Sequence, residues 1–249
     1  MGEMSFPRSV DRTLDILQAV ARKGPATVAE LQSDTGLPRS SLYRLLLGLR
    51  ERQLILLDAG GWARLGPGVL GWADSYRRQN PLAMLALGIM RDLTLATNET
   101  SLLTVADFPW GQCVQKVEPE RAVRISYAIG SPRPLHAGAS SKVLLAFMDA
   151  GLLDLYFRTV TLEQYTPTTP TEEATIRQQI AQTQRRGYCY TESELDTGAA
   201  AVAVPIFSQG GTLVAGLSVA GPIGRLDVEP ALAALRQARD RLETTLRPG

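Results

Sequence analysis

The spacing of apolar residues changes once along this chain, and that change most restricts what it can fold into. Up to about residue 93 it follows the three-and-four rhythm of amphipathic helices, interrupted by one Gly-Gly hairpin. From Ser101 it turns into short β-type runs separated by helices. At 249 residues the chain exceeds the usual size of one domain. The change of rhythm therefore reads as two domains, a helical one followed by a mixed α+β one. Hydrophobic residues make up 45% and charged residues 20%, ordinary values for cores that bury themselves in water.

In the first part, Val10, Leu14, Leu17, Val20 and Ala21 recur at helical spacing between Ser9 and Lys23, where Gly24-Pro25 ends the helix. Thr27 and Glu30 form a capping box for a second helix reaching about Thr35, and Gly36 suits its C-terminus. After Leu37-Pro38, a third helix from Arg39 to Arg52 sets Leu42, Leu45, Leu46 and Leu49 on its core face. Residues 54–57 and 62–65 flank Asp58-Ala59-Gly60-Gly61 and read as a hairpin, the wing. A helix, a tight turn and a second helix that starts with polar and basic residues is the pattern that lays a recognition helix in a major groove.

A three-helix protein-interaction module with a solvated basic face is the alternative, and the wing directly behind Ser40, Ser41, Tyr43 and Arg44 favours DNA. Arg39 and Arg44 can reach guanine edges or phosphates, while Ser40, Ser41 and Tyr43 can donate to phosphate oxygens. Arg8 and Ser9 at the first helix start, with Trp62 and Arg64 in the wing, complete the DNA-facing set. Trp62 could equally anchor the wing by packing. Residues 1–80 hold 11 basic and 8 acidic side chains against 15 and 17 in the remainder, so the double-stranded DNA partner belongs to the first part.

Gly66-Pro67-Gly68 punctuates the boundary, and Val69, Leu70, Trp72, Ala73 and Tyr76 suggest a linker helix reaching Asn80-Pro81. The expected division is residues 1–66 for the winged helix-turn-helix, 67–80 for the linker helix and 81–249 for the second domain. There, Leu82, Leu85, Ile89 and Leu93 support a helix. Strands are expected at 101–106, 111–117 and 123–128, helices at 141–157 and 171–186, β-rich runs at 199–207 and 212–219, and a last helix at 228–246.

Two strings imitate catalytic motifs. Residues 66–71 match G-x-G-x-x-G, but the match follows a hairpin and carries a proline in the turn, where a dinucleotide site needs a strand inside a βαβ unit. Between His136 and Lys142, a Ser-x-x-Lys nucleophile would need serine at 139, which is Ala139, and His136 is the chain's only histidine. A pocket in which His136, Ser140 and Lys142 act on a small acid is the competing enzyme reading, and the spacing disfavours it. The stretch better suits a helix start whose backbone N–H groups and two hydroxyls attract an anion, or else plain capping and tight packing. One histidine and two separated cysteines, Cys113 and Cys189, suggest neither a metal site nor a disulfide, and no cofactor is expected. No apolar run approaches the roughly 18 residues that span a bilayer, and no secretory pattern opens the chain, so no membrane partner and a cytoplasmic location are expected.

From end to end the chain resembles IclR-type transcription regulators. The carriers are residues 9–17, 36–46 and 134–146, the stretch from Arg186 to Glu192 with Gly198, and residues 202–207 continuing to 217–225. The resemblance implies a winged helix-turn-helix, a linker helix and a GAF-like effector-binding domain that pairs into homodimers or homotetramers. It also implies control by a small-molecule effector, commonly an organic acid. Carried over residue by residue, the effector contacts are Ala139 and Ser140 at a helix start, Ala199 and Ala201 on one strand and Ser218 on the next, with His136 and Thr191 completing the set. The sequence departs from the family pattern at Ser141, where glycine is usual, and at Ala220, where a second serine is common, and both changes are expected to alter ligand choice.

Overall fold

The computed structural model describes residues 8–246, which form two compact units dividing between Asn80 and Pro81. The first unit runs α1 (Arg8–Lys23), β1 (Ala26–Thr27), α2 (Val28–Thr35), α3 (Arg39–Glu51), β2 (Ile55–Leu57), β3 (Trp62–Leu65) and α4 (Gly68–Gln79). The capping box forms as its residues dictate. Thr27 Oγ1 accepts from the Glu30 N–H at 3.2 Å, and Glu30 Oε2 accepts from the Thr27 N–H at 2.7 Å. At the other end of α2, the Gly36 N–H donates to Gln32 O at 2.9 Å.

The wing gains a third strand, because β1 pairs with β3 on the side away from β2. Ile16, Val20, Leu31, Leu42, Leu46, Ile55 and Ala63 form the core of this unit. Three expectations for α1 are corrected, since Val10 and Leu14 are about half exposed, Ala21 is exposed, and the buried stripe is Ile16, Ala19 and Val20. Both stripes have helical spacing, and packing against α2 and β3 selects the second. The first two glycines of the G-x-G-x-x-G string have a structural use: a Cβ on Gly66 would lie 2.2 Å from the Gln53 carbonyl oxygen, and one on Gly68 2.9 Å from it. That close approach pins the start of α4 against the corner after α3.

The second unit runs α5 (Leu82–Thr97), β4 (Thr100–Asp107), β5 (Trp110–Val117), β6 (Pro132–Pro134), α6 (Ala139–Ala146), α7 (Ala150–Thr159), α8 (Glu173–Arg186), β7 (Cys189–Glu192), β8 (Ala199–Phe207), β9 (Leu213–Pro222) and α9 (Val228–Thr245). Six antiparallel strands form one sheet in the order β6-β5-β4-β9-β8-β7. The two-residue period of β8 and β9 sends Val202, Val204, Leu217 and Val219 into a core with α5 and α9. The alternate residues face α6 on the other side, where Ala203 packs with Ala139 and Val143. Leu85, expected on the inner face of α5, is 41% exposed; Ala86, Ile89, Met90 and Leu93 bury that face instead.

Two further expectations are corrected, and two strands of this sheet were not expected. Residues 123–128 form no strand; their carbonyls are taken by side chains, Ile125 O by Thr100 Oγ1 at 2.6 Å and Val123 O by Arg225 at 3.0 Å. Pro132–Pro134 pairs with β5 in their place. The helix expected over 141–157 is two helices, because the Asp149 carboxylate caps a new start by accepting from the N–H groups of Gly151 and Leu152. Cys189–Glu192, unassigned from the sequence, is the edge strand β7. Among the described residues no helix is long and apolar enough to cross a membrane.

Candidate functional site

In the first unit the candidate DNA-facing side chains stand at three places. Arg39, Ser40, Ser41, Tyr43 and Arg44 occupy the first turns of α3; Arg39, Ser40 and Arg44 are exposed and Ser41 half-buried, while Tyr43 is half-buried and packs against the core that holds Leu42, Leu46 and Leu49. Arg39 lies over the Tyr43 ring at 5.7 Å, which orients the guanidinium without consuming its donors. On β3, Trp62 and Arg64 share the outward face while Ala63 between them is buried. Trp62 is 45% exposed, so the packing anchor of the wing is Ala63 and not the indole. Arg8 and Ser9 form the exposed first turn of α1. The ion pairs of this unit are Lys23–Asp34 and Arg78–Asp74, so among the described residues Arg39, Arg44 and Arg64 carry unneutralised charge.

In the second unit a cavity of about 30 Å³ opens between the sheet and the start of α6. Six of the seven sequence-selected effector residues line it: Ala139, Ser140, Thr191, Ala199, Ala201 and Ser218. Register explains the convergence. Ser218 lies between Ala203 and Leu102, Ala201 between Thr191 and Ala220, so one sheet face carries Leu102, Thr191, Ala201, Ser218 and Ala220 together. A Cβ on Gly216 would lie 2.8 Å from the Ser140 carbonyl oxygen, and its absence lets the first turn of α6 settle on β9. The first N–H groups of α6 have no partner within the helix, and Gly138 at its N-cap supplies no side chain. The Ser218 hydroxyl, 1% exposed, has no hydrogen-bond partner.

His136 is the exception, and its selection is corrected. It does not line the cavity. The side chain is 1% exposed and both ring nitrogens are used, Nε2 against Glu163 O at 3.0 Å and Nδ1 against the Tyr156 hydroxyl at 2.9 Å. A carbonyl only accepts, so Nε2 carries the proton and Nδ1 accepts from Tyr156. Burial lowers its pKa, which keeps the ring neutral. Ser141 also points elsewhere, its hydroxyl toward Gly111 on β5, so of the two family departures only Ala220 meets the cavity.

Lys142 completes a buried ion pair with Glu194, and its ammonium also donates to Gln179 at 2.7 Å. Glu194 lines the cavity and accepts from the Gly138 N–H at 3.0 Å, tying the helix start to the loop after β7. The sequence reading missed Glu194, Leu195, Asp196 and Tyr127. Tyr127 falls within the strand expected at 123–128, and the other three sit in a loop with no periodic signal. The Tyr127 hydroxyl donates to Asp196 Oδ2 at 2.9 Å, and burial with the neighbouring carboxylate pushes its pKa up. Among the described residues no group of histidine, cysteine and acidic side chains could hold a metal ion.

Comparison with known proteins joins these two halves. Residues 9–58 match the IclR helix-turn-helix domain, and residues 75–243 match the bacterial transcriptional regulator IclR C-terminal domain. The chain is similar to the HTH-type transcriptional regulator KipR of Bacillus subtilis, 29% identical over 86% of this chain and 86% of that protein. It is also similar to the HTH-type transcriptional repressor AllR of Escherichia coli, 28% identical over 94% and 87%. In fold it matches the Thermotoga maritima IclR structure with a TM-score of 0.82 at 24% identity, covering 96% of this chain and 98% of that one. An IclR homologue from Microbacterium hydrocarbonoxydans complexed with 4-hydroxybenzoate matches with a TM-score of 0.83 at 24% identity, over 96% and 99%. The class is a DNA-binding transcription regulator with an effector-binding domain. The chain belongs to the IclR family.

Proposed function

We propose that the cavity takes a small carboxylic acid and that its occupancy changes how the regulator holds a palindromic operator. The observation that carries this reading is the partnerless Ser218 hydroxyl beside the α6 N-terminus. A buried hydroxyl without a partner costs about 1–3 kcal/mol, a cost that a ligand oxygen would remove. The helix N-terminus and Ser140 favour the same negatively charged group. Apart from Glu194, which is neutralised by Lys142 behind it, and the Tyr127–Asp196 pair, the lining is small or apolar. The 4-hydroxybenzoate complex of the Microbacterium homologue supports an aromatic acid as the first ligand to try.

For the DNA arm, Arg39 and Arg44 read bases or phosphates from α3, one recognition helix per half-site, with Ser40, Ser41 and Tyr43 on phosphates and Arg8, Ser9, Trp62 and Arg64 flanking. Two half-sites about 34–36 Å apart, or a multiple, require two copies of the chain. Pairing into dimers or tetramers is supported by α4, which buries none of its residues and leaves Leu70 67% and Trp72 62% exposed. Effector coupling of about 1–3 kcal/mol is the expected scale.

The test is a gel shift on the intergenic DNA beside the protein's own gene, with and without 4-hydroxybenzoate and a panel of short carboxylates, alongside thermal shift and sedimentation. A ligand that raises the melting temperature and moves the DNA affinity five- to 150-fold, roughly, is the expected result. A thermal shift with unchanged DNA affinity would overturn the coupling.

A further inference from the structure

The cavity of about 30 Å³ is no larger than one or two waters, whereas sites for small molecules run to about 300 Å³ and more. A carboxylic acid of even modest size therefore needs a wall to move. The sheet and α6 are held by ladders and by the Lys142–Glu194 pair, leaving two irregular walls, 193–198 and 119–131. The first is pinned from below: Thr166 Oγ1 donates to Ser193 O, and Thr169 Oγ1 donates to Glu194 O at 2.6 Å. The second belongs to no ladder. Its anchors are almost all side chains: Arg225 and Thr100 take Val123 O and Ile125 O, Arg124 and Ser126 are held to Glu118, and Ser126 also to Lys116 at 3.0 Å, while among the described residues its one backbone hydrogen bond to a strand is the Gly130 N–H to Cys113 O at 2.7 Å.

We infer that residues 119–131 are the movable wall and that the Tyr127–Asp196 hydrogen bond is the latch holding it closed, a reading that rests on the cavity being the effector site. Among the described residues this 2.9 Å bond is the one hydrogen bond joining the two irregular walls. Beneath the strap, Ile125 and Tyr127 cover Leu102, Cys113 and Ala220, while Arg133 lies over the Tyr127 ring at 3.7 Å. When Tyr127 swings out, Asp196 loses a donor at the cavity mouth, and the hydroxyl or amino end of an incoming acid can replace it. The latch thereby favours ligands that carry a donor opposite their carboxylate.

The two cysteines report the motion without any effector. Cys113 lies under the strap; Cys189 is buried with Ala139, Val143 and Ala203 on the α6 side of the sheet. Iodoacetamide labelling of the full-length protein, resolved site by site by mass spectrometry, measures how often each is uncovered. Tyr127→Phe and Asp196→Ala are each expected to speed Cys113 labelling about tenfold with Cys189 unchanged, and the double variant to go no faster than either single one. An unchanged Cys113 rate overturns the latch, and so does an equal rise at both cysteines. Because the readout needs no ligand, failure here is separable from failure of the effector reading, which the thermal shift with 4-hydroxybenzoate decides.

Discussion

The exposed residues proposed to meet DNA at the start of α3 and the buried ones proposed to meet an effector around the α6 cavity stand under opposite constraints. Arg39, Ser40 and Arg44 stand in water on a helix whose other face is core. They are free to be replaced without disturbing Leu42, Leu46 or Leu49. Ser218, Thr191 and Ala139 are at least nine-tenths buried, and each also closes a packing layer. An outward-facing surface separates binding from stability; a cavity in a sheet couples them. The first unit should therefore lose affinity and keep its fold when its contacts are cut, and the second should change both.

The sharpest test of that contrast is Lys142→Met, which strands the Glu194 carboxylate at 8% exposure with the Gly138 N–H as its remaining partner. A loss of about 3–5 kcal/mol in urea unfolding of the second unit is expected. A change below about 1 kcal/mol would mean the pair is already hydrated.

Next in size is the Arg39→Ala, Arg44→Ala double variant. Its operator affinity should fall about 100-fold or more, since each base-reading arginine is worth about 1–3 kcal/mol. Its unfolding midpoint should stay close to that of the parent, exposed substitutions being worth about 0.5 kcal/mol or less. Anisotropy titration and denaturation on the same samples check both halves. Unchanged affinity would remove α3 as the recognition helix.

A third prediction concerns pH. The buried, doubly bonded His136 has its pKa lowered by burial, so as pH falls the unfolded chain takes up the proton before the folded one does. Its contribution is present above the unfolded value of about 6.5 and is lost as pH drops toward the folded value, at no more than about 1.4 kcal/mol per pH unit. Because the chain has one histidine, melting curves between pH 7 and 5 should flatten in His136→Gln. A slope that survives this substitution would assign the effect to carboxylates.

The smallest effect discriminates best. Ser218→Ala removes a partnerless buried hydroxyl and should leave stability unchanged or raise it by up to about 1 kcal/mol. It should also weaken the thermal shift given by a bound carboxylate. Lost stability with unaltered ligand response would show Ser218 to be a packing residue alone.

Legibility followed the range over which the deciding forces act. The capping box at Thr27 and Glu30, the Gly36 stop and the face of α3 are set within one or two turns, and the structure repeats them almost residue for residue. The cavity residues Ala199, Ala201 and Ser218 came from the family resemblance, and antiparallel register brings them together. His136 was misplaced because a histidine beside a helix start looks the same whether it faces a ligand or the Tyr156 hydroxyl, and only the packing of α7 decides. Residues 123–128 have strand composition, yet Thr100 and Arg225, distant in sequence, take their carbonyls.

The sequence by itself determined the capped helices of the first unit and the spacing that gives α3 one buried face, because helix caps and apolar periods act between neighbours. Tertiary structure alone decided that Lys142 spends its charge on Glu194, that Ser218 is left without a partner, and that Tyr127 reaches Asp196. Those outcomes depend on groups 52 and 69 residues apart meeting where water is excluded, and no local pattern encodes such a meeting.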